Sequence, residues 1–266
     1  MSLKVILKGG SLEVRTVKNP FVFIGIIALT AALVLAVVSE ATKARVKENK
    51  DLDRMKNILT ARFLEEYNLY ESKLSDETQV KELYKEHIIQ QLYSLEGDLV
   101  DDETLNFSDL VWKENKKDGS LYYYFKADLD KQYLPFFKVK DGGYIIPISG
   151  KGLWSTLKGF IYIIQNGGNS GNLKNGEYTV KGISFYEHKE TPGLGGEIDK
   201  IEIKKRYIGK SIDLNKNIAP IMTKAPKESN SYELQYISGA TITSDGLNEF
   251  IKRDLNRYKI ILEKVE

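Results

Sequence analysis

The sequence predicts an α+β protein. A single transmembrane helix near the N-terminus precedes a membrane-proximal helical stretch and a domain with a largely antiparallel sheet and flanking helices. Residues 21–38 carry no charge, strand-like runs after residue 120 are separated by hairpin-length turns, and helical periodicity returns from residue 247. Strands spaced this way, without regular alternation with helices, favour an antiparallel sheet over a parallel one.

Residues 1–20 read as a short tail. The run at 21–38, FVFIGIIALTAALVLAVV, has one hydroxyl and no ionisable group. As a helix it extends about 27 Å at about 1.5 Å per residue, close to the ~30 Å of a bilayer's hydrocarbon core. Pro20 suits a first helical position, where its missing N–H is not needed. Two rival readings are a cleaved signal peptide and a buried core helix. The apolar part of a signal is usually about 7–15 residues and ends at a small-residue cleavage site. Here the run is longer and charged SEATKARVK follows, which favours an uncleaved anchor. Lys4, Lys8, Arg15 and Lys18 on one side balance Lys43, Arg45, Lys47 and Lys50 on the other, so local charge leaves the orientation open.

Val46, Leu52, Met55, Ile58, Leu59 and Phe63 follow near-helical spacing, so the helix is expected to continue amphipathically past the apolar run. Residues 64–103 also read as helical, with Tyr84, Ile88, Ile89 and Leu92 as a packing stripe. A helical membrane-proximal region is therefore expected over 39–110 and the main domain over 111–266. Strands are expected at 121–127, 143–148, 160–164, 178–186 and 201–208, with a Gly/Asn turn cluster at 165–171. From 247 onward, Leu247, Phe250, Ile251, Leu255, Tyr258, Ile261 and Leu262 share a helical face.

Composition excludes several chemistries. The chain has no cysteine, which removes disulfides, thiol nucleophiles, thiolate zinc sites and cysteine-held iron–sulfur clusters. His87 and His188 lie far apart, so no metal site and no catalytic residue is assigned. A net charge of +2 gives no footprint for nucleic acid. Any redox role needs an organic cofactor.

The most informative segment is SGATITSDG at 238–246. Ser238, Gly239 and Ala240 are small enough for a ligand to approach the backbone. Thr241, Thr243 and Ser244 supply hydroxyls, and Ser244 or Asp245 reads as the cap of the following helix. A helix N-terminus offers unpaired N–H groups and the positive end of the dipole, which suits a phosphate. An ordinary turn and cap has the same composition. A second segment, HKETPGLGGE at 188–197, places Pro192, Gly193, Gly195 and Gly196 in a tight loop after a strand. It lacks the GxGxxG spacing of a dinucleotide fingerprint. A third, GKGLWST at 150–156, carries Trp154.

These three segments, in this order below one uncharged helix, resemble the C-subunit family of sodium-translocating NADH:quinone reductases. The related G subunit of Rnf-type ferredoxin:NAD oxidoreductases shares the anchor, the ETPGLG-like loop and the threonine motif. The GGE ending at Glu197 and the GLWS run favour the first. The resemblance covers about residues 150–250 and, with the anchor, reaches the N-terminus; 64–120 match nothing. SGAT is similar to the motif in which a flavin transferase esterifies a threonine with FMN, and the modified residue maps onto Thr241. The resemblance implies a covalent FMN and a domain outside the cytoplasm of a bacterial inner membrane. It also implies electron relay between partner subunits, among them an iron–sulfur donor and a flavin-carrying membrane subunit. Under it, Ser238, Gly239, Ala240, Thr243, Gly193, Leu194, Gly195 and Trp154 line the cofactor, and Glu190 and Thr191 hydrogen-bond it. An anchored binding module without a cofactor is the alternative of a different class. A hydrolase using Ser238 or Ser244 lacks a nucleophile elbow or a nearby histidine.

Overall fold

The computed structural model describes residues 4–8, 11–15, 19–101, 105, 107–167 and 176–265. The chain divides into two units, Met1–Lys50 and Asp51–Glu266. In the first, β1 (Lys4–Lys8) and β2 (Ser11–Arg15) pair antiparallel, where the sequence suggested only a tail. The helix α1 begins here and runs over Pro20–Arg62, 43 residues. Among the described residues it is the one helix long and apolar enough to cross a membrane, and none of its most apolar 18-residue window is buried. That exposure is the opposite of a core helix. The hydroxyl of Thr30 donates to the Ile26 and Ile27 carbonyls at 2.9 Å each, so the apolar run presents no unsatisfied polar side chain.

In the second unit, the last turns of α1 bury Ile58, Leu59 and Ala61, and α2 (Tyr67–Leu74) and α3 (Glu77–His87) follow. The Asp76 carboxylate caps α3 by accepting from the Gln79 N–H at 2.8 Å. The expected helical stripe then ends early. Ile88, Ile89 and Leu92 lie in a strand, β3 (Ile88–Ser94), which pairs antiparallel with residues 133–139. Adjacent β-branched residues and a partner strand outweigh the helical spacing of the apolar positions.

The remaining strands are β4 (Leu110–Glu114), β5 (Leu121–Phe125), β6 (Asp128–Val139), β7 (Tyr144–Lys151), β8 (Thr156–Gln165) and β9 (Glu177–Glu187). After α4 (Ile201–Lys205) come β10 (Ser211–Asp213), β11 (Ile221–Thr223) and β12 (Glu233–Gln235). The chain closes with α5 (Thr241–Arg257) and α6 (Lys259–Val265). Among the described residues, the main sheet has eight strands in the order β10-β9-β8-β7-β6-β5-β4, with β3 also on β6, and every pairing in it is antiparallel.

Two segments differ from the sequence reading. The expected strand at 201–208 is helical over Ile201–Lys205, because Ile203 and Tyr207, four apart, both turn into the core. Strand β6 was not expected, since its charged start and Pro135 argue against one. Pro135 sits opposite Leu92 of β3, and its carbonyl accepts the Tyr258 hydroxyl at 3.0 Å. Of the turn cluster at 165–171, residues 168–171 lie outside the described residues.

Period-two alternation divides the sheet's side chains between two cores. On one side, Ile146, Ile148, Leu157, Ile161 and Ile163 meet Leu247, Phe250, Ile251 and Leu255 of α5. On the other, Ile145, Phe160 and Tyr162 meet Ile58, Leu59, Leu83 and Tyr84. The first core matters for function, because it seats α5, and with it residues 238–246, against the end of β7.

Candidate functional site

Helix α5 begins at Thr241, and its cap, Ala240, stands four or five residues earlier than the cap expected at Ser244 or Asp245. Ala240 stands at the cap with no side-chain hydrogen bond, and the first turn has no acidic residue. The first helical N–H groups have no intrahelical acceptor by construction. They stay available for an anion because the sequence places no carboxylate over them. Ser244, the expected cap, is fully buried; its Oγ accepts from the Ile237 N–H at 3.2 Å.

Helical geometry sorts the hydroxyls of the motif. Ser238, Gly239 and Thr241 are exposed, whereas Ala240, Thr243 and Ser244 are buried. Thr243 is 1% exposed and its hydroxyl donates to Glu190 Oε2 at 2.8 Å. Thr241 is therefore the threonine of the motif that a large reagent can reach.

All three sequence segments converge on Glu190, which is 5% exposed. Its Oε1 accepts the Trp154 and Ser155 N–H groups at 3.0 Å each and the Ser155 hydroxyl at 3.1 Å. Its Oε2 accepts the Leu153 N–H at 3.2 Å, besides Thr243. Burial alone would raise this carboxyl, but donation from Thr243, Trp154, Leu153 and Ser155 outweighs it and holds Glu190 below the usual carboxylate range. Both oxygens are thus committed within the protein.

Around this hub lie the remaining residues singled out in the sequence. Thr191, Gly193 and Leu194 are exposed on their loop, where the Thr191 carbonyl accepts from Leu194 at 3.1 Å and Gly196 at 3.0 Å. Gly195 is buried beneath it. Leu194 lies over Gly239, where a Cβ would stand 2.7 Å from its Cδ2. Gly246 meets the Lys151 carbonyl so closely that a Cβ would collide with it, which seats α5 directly on the end of β7. Trp154 is 71% exposed, not a core residue; Leu153, Leu194 and Ile242 also show large apolar surface.

Other residues that fix the site did not stand out in the sequence. Arg206 Nη1 donates to the carbonyls of Gln235 and Tyr236 at 3.2 Å each, and the Tyr236 hydroxyl pairs with Asp245, so the turn before Thr241 is tied at both ends. Asp254 accepts the Ser149 N–H at 2.8 Å and pairs with Arg253, tying α5 to β7. Burial pushes its carboxyl up to about 6, against the pull of Arg253 and the Ser149 N–H. Its position between Ile251 and Tyr258 on the apolar stripe is a signal that could have revealed it. His188 Nε2 meets Asp199 Oδ2 at 2.8 Å while Nδ1 faces the Glu190 N–H at 3.2 Å, which braces the ETPGLG loop from behind.

Comparison with known proteins shows the family. The FMN-binding domain family matches residues 171–256. The C subunit of the Na(+)-translocating NADH-quinone reductase of Haemophilus ducreyi is 30% identical over 251 residues, covering 89% of each chain. The chain belongs to this C-subunit family. The C subunit of the Pseudomonas aeruginosa reductase is 28% identical, covering 85% of this chain and 86% of its own. The structure of the C subunit from Parabacteroides distasonis superposes with a TM-score of 0.58 at 24% identity, over 83% of this chain and 96% of that one. That superposition supports the fold. The family match supports an FMN-binding domain in the C-terminal part of the chain, and among the described residues α1 is the one candidate membrane span.

Proposed function

We propose that this chain is the FMN-carrying electron-transfer subunit of a membrane-bound, sodium-translocating NADH:quinone reductase, with the FMN phosphate esterified to Thr241. The relatives are named as one subunit of such a complex, so the chain works with other subunits and is not catalytically complete alone. We place the main domain on the extracytoplasmic side, with a separate flavin transferase for maturation and partner subunits giving and taking electrons.

The observation that carries this reading is the placement of Thr241. It is exposed at the first turn of a 17-residue helix, with the ETPGLG loop and the Trp154 loop held beside it. The residues fit the group. The uncapped first turn suits a phosphodiester, and exposed Trp154, Leu153, Leu194 and Ile242 offer apolar surface for a ring system. Thr191, exposed on its loop, is placed to hydrogen-bond ring or ribityl oxygens. FMN supplies one- and two-electron chemistry that no side chain here provides. In attachment, Thr241 would supply the hydroxyl oxygen of the new phosphoester, with a diphosphate-linked flavin nucleotide losing its other nucleotide phosphate and the hydroxyl proton leaving to the transferase. A covalent link also keeps the cofactor from being lost to a compartment without a flavin pool.

The test is flavin fluorescence of the denatured full-length chain on a gel after co-expression with a flavin transferase. A fluorescent wild-type band that vanishes in Thr241→Ala is the expected result. Fluorescence persisting in the variant moves the ester to another residue. A dark wild-type band, with the transferase active on a control substrate, removes the covalent flavin and returns the chain to an anchored binding module.

A further inference from the structure

The arrangement beneath the threonine motif goes beyond a set of cofactor contacts. Glu190 receives five donors: three backbone N–H groups from residues 153–155, the Ser155 hydroxyl and the Thr243 hydroxyl. A carboxylate offers about four lone-pair sites, so it has no capacity left for a ligand. The donors come from the loop after β7 and from the first turn of α5, two segments that the sequence separates by almost ninety residues. Glu190 itself belongs to the third segment, at the head of the ETPGLG loop. The ties interlock further, since the Lys189 N–H donates to Ser155 Oγ at 2.7 Å while the Ser155 hydroxyl donates to Glu190.

A surface loop does not need such a joint in order to fold. What the joint does is fix three things relative to one another: the backbone at Trp154, the exposed Leu194 loop, and the first turn of α5 that presents Thr241. Thr243 is the lever. With its hydroxyl drawn down to Glu190 and its side chain 1% exposed, the helix has one rotation about its axis, and that rotation leaves Thr241 outward.

We propose that Glu190 is a positioning residue for flavin attachment: it acts through Thr243 and residues 153–155 to present Thr241 and Trp154 in one geometry. The proposal rests on Thr241 as the flavin acceptor and deepens it. Glu190 is thereby moved from direct flavin contact, as the sequence suggested, to the support beneath it. A displacement of about 1 Å in a reacting group can slow a reaction by about 100-fold, and this joint is where such a displacement would originate.

The experiment uses the full-length chain, purified without flavin in detergent, with flavin transferase and its flavin nucleotide donor. Fluorescent label per folded molecule is followed over time for wild type, Glu190→Ala, Glu190→Gln and Thr243→Val, with folding checked by near-ultraviolet circular dichroism. Glu190→Ala is expected to label about 10- to 100-fold more slowly. Glu190→Gln should recover part of the rate: its amide oxygen can keep the three donors on Oε1, while its NH2 group faces the Leu153 N–H. Thr243→Val, which removes one donor and leaves 153–155 tied, should slow labelling without altering the loaded protein's Trp154 fluorescence. The Glu190 variants, once loaded, should alter that fluorescence too. Wild-type labelling rates in folded Glu190→Ala and Thr243→Val overturn the proposal. If Glu190→Ala does not fold, a wild-type rate in Thr243→Val overturns it alone. A wild-type chain that takes no flavin from an active transferase removes the acceptor reading and the proposal with it, an outcome distinct from equal rates across the variants.

Discussion

The outer and inner sides of the threonine motif are built from neighbouring residues and behave as different materials. Outside, Thr241, Ile242, Leu194 and Trp154 are exposed, and their side chains make no hydrogen bond among the described residues. Inside, Thr243, Ser244 and Glu190 are buried and hydrogen-bonded, and Phe250 further along α5 is 2% exposed. The difference teaches where stability and function separate. The inner side holds the fold and sets the angle of presentation; the outer side contributes little to the fold and is free to serve a ligand.

Substitutions should therefore rank in opposite order for stability and for flavin properties. The largest stability loss is expected for Phe250→Ala, which empties a site between α5 and β7. A loss of about 3–5 kcal/mol should appear in denaturant unfolding of the detergent-solubilised chain. A loss below about 1 kcal/mol would mean that α5 is not held by this core.

Next is Asp254, whose effect depends on pH. Its carboxyl is raised by burial to about 6 in the folded protein, from 3.8 when exposed. The folded state thus holds this proton more tightly than the unfolded one. Its contribution is full below about pH 4 and is lost as pH rises through about 6, a change of roughly 3 kcal/mol. Asp254→Asn cannot ionise and should flatten this part of the stability–pH curve, while its amide oxygen keeps the Ser149 N–H satisfied. An unchanged slope between pH 4 and 6 would assign the titration to another group.

The smallest stability effect belongs to the outer side. Trp154→Ala should shift unfolding by no more than about 0.5 kcal/mol, because 71% of the residue is already in solvent. The same variant should change the visible spectrum or redox potential of the loaded flavin. A large stability loss with an unchanged flavin would break the contrast between the two sides.

Much of this protein is legible in its sequence. The apolar run at 21–38 needs no tertiary partner to be recognised, because its composition alone decides which solvent suits it. Strands β5, β7, β8 and β9 announce themselves by aromatic and β-branched runs between turn residues, and α5 and α6 by one continuous apolar stripe. The three motifs are also visible as strings. Where local signals conflict, the reading fails: Ile88 and Ile89 sit in a strand despite helical spacing, 201–205 in a helix despite alternation, and Pro135 inside a strand.

The sequence by itself carried the apolar run of a candidate membrane span, the α+β fold class and the absence of thiol chemistry. Those follow from composition and short-range periodicity, which are properties of neighbouring residues, whereas the choice of Thr241 is what the resemblance of its motif implies. Only the tertiary structure decided that Glu190 is a buried joint, that Trp154 faces solvent, and that Thr243 points inward while Thr241 points out. Each of these depends on contacts between segments 36 to 53 residues apart, namely Glu190 with Trp154 and with Thr243. A carboxylate is equally at home in water or in a ring of donors, and distant chain segments determine which it meets.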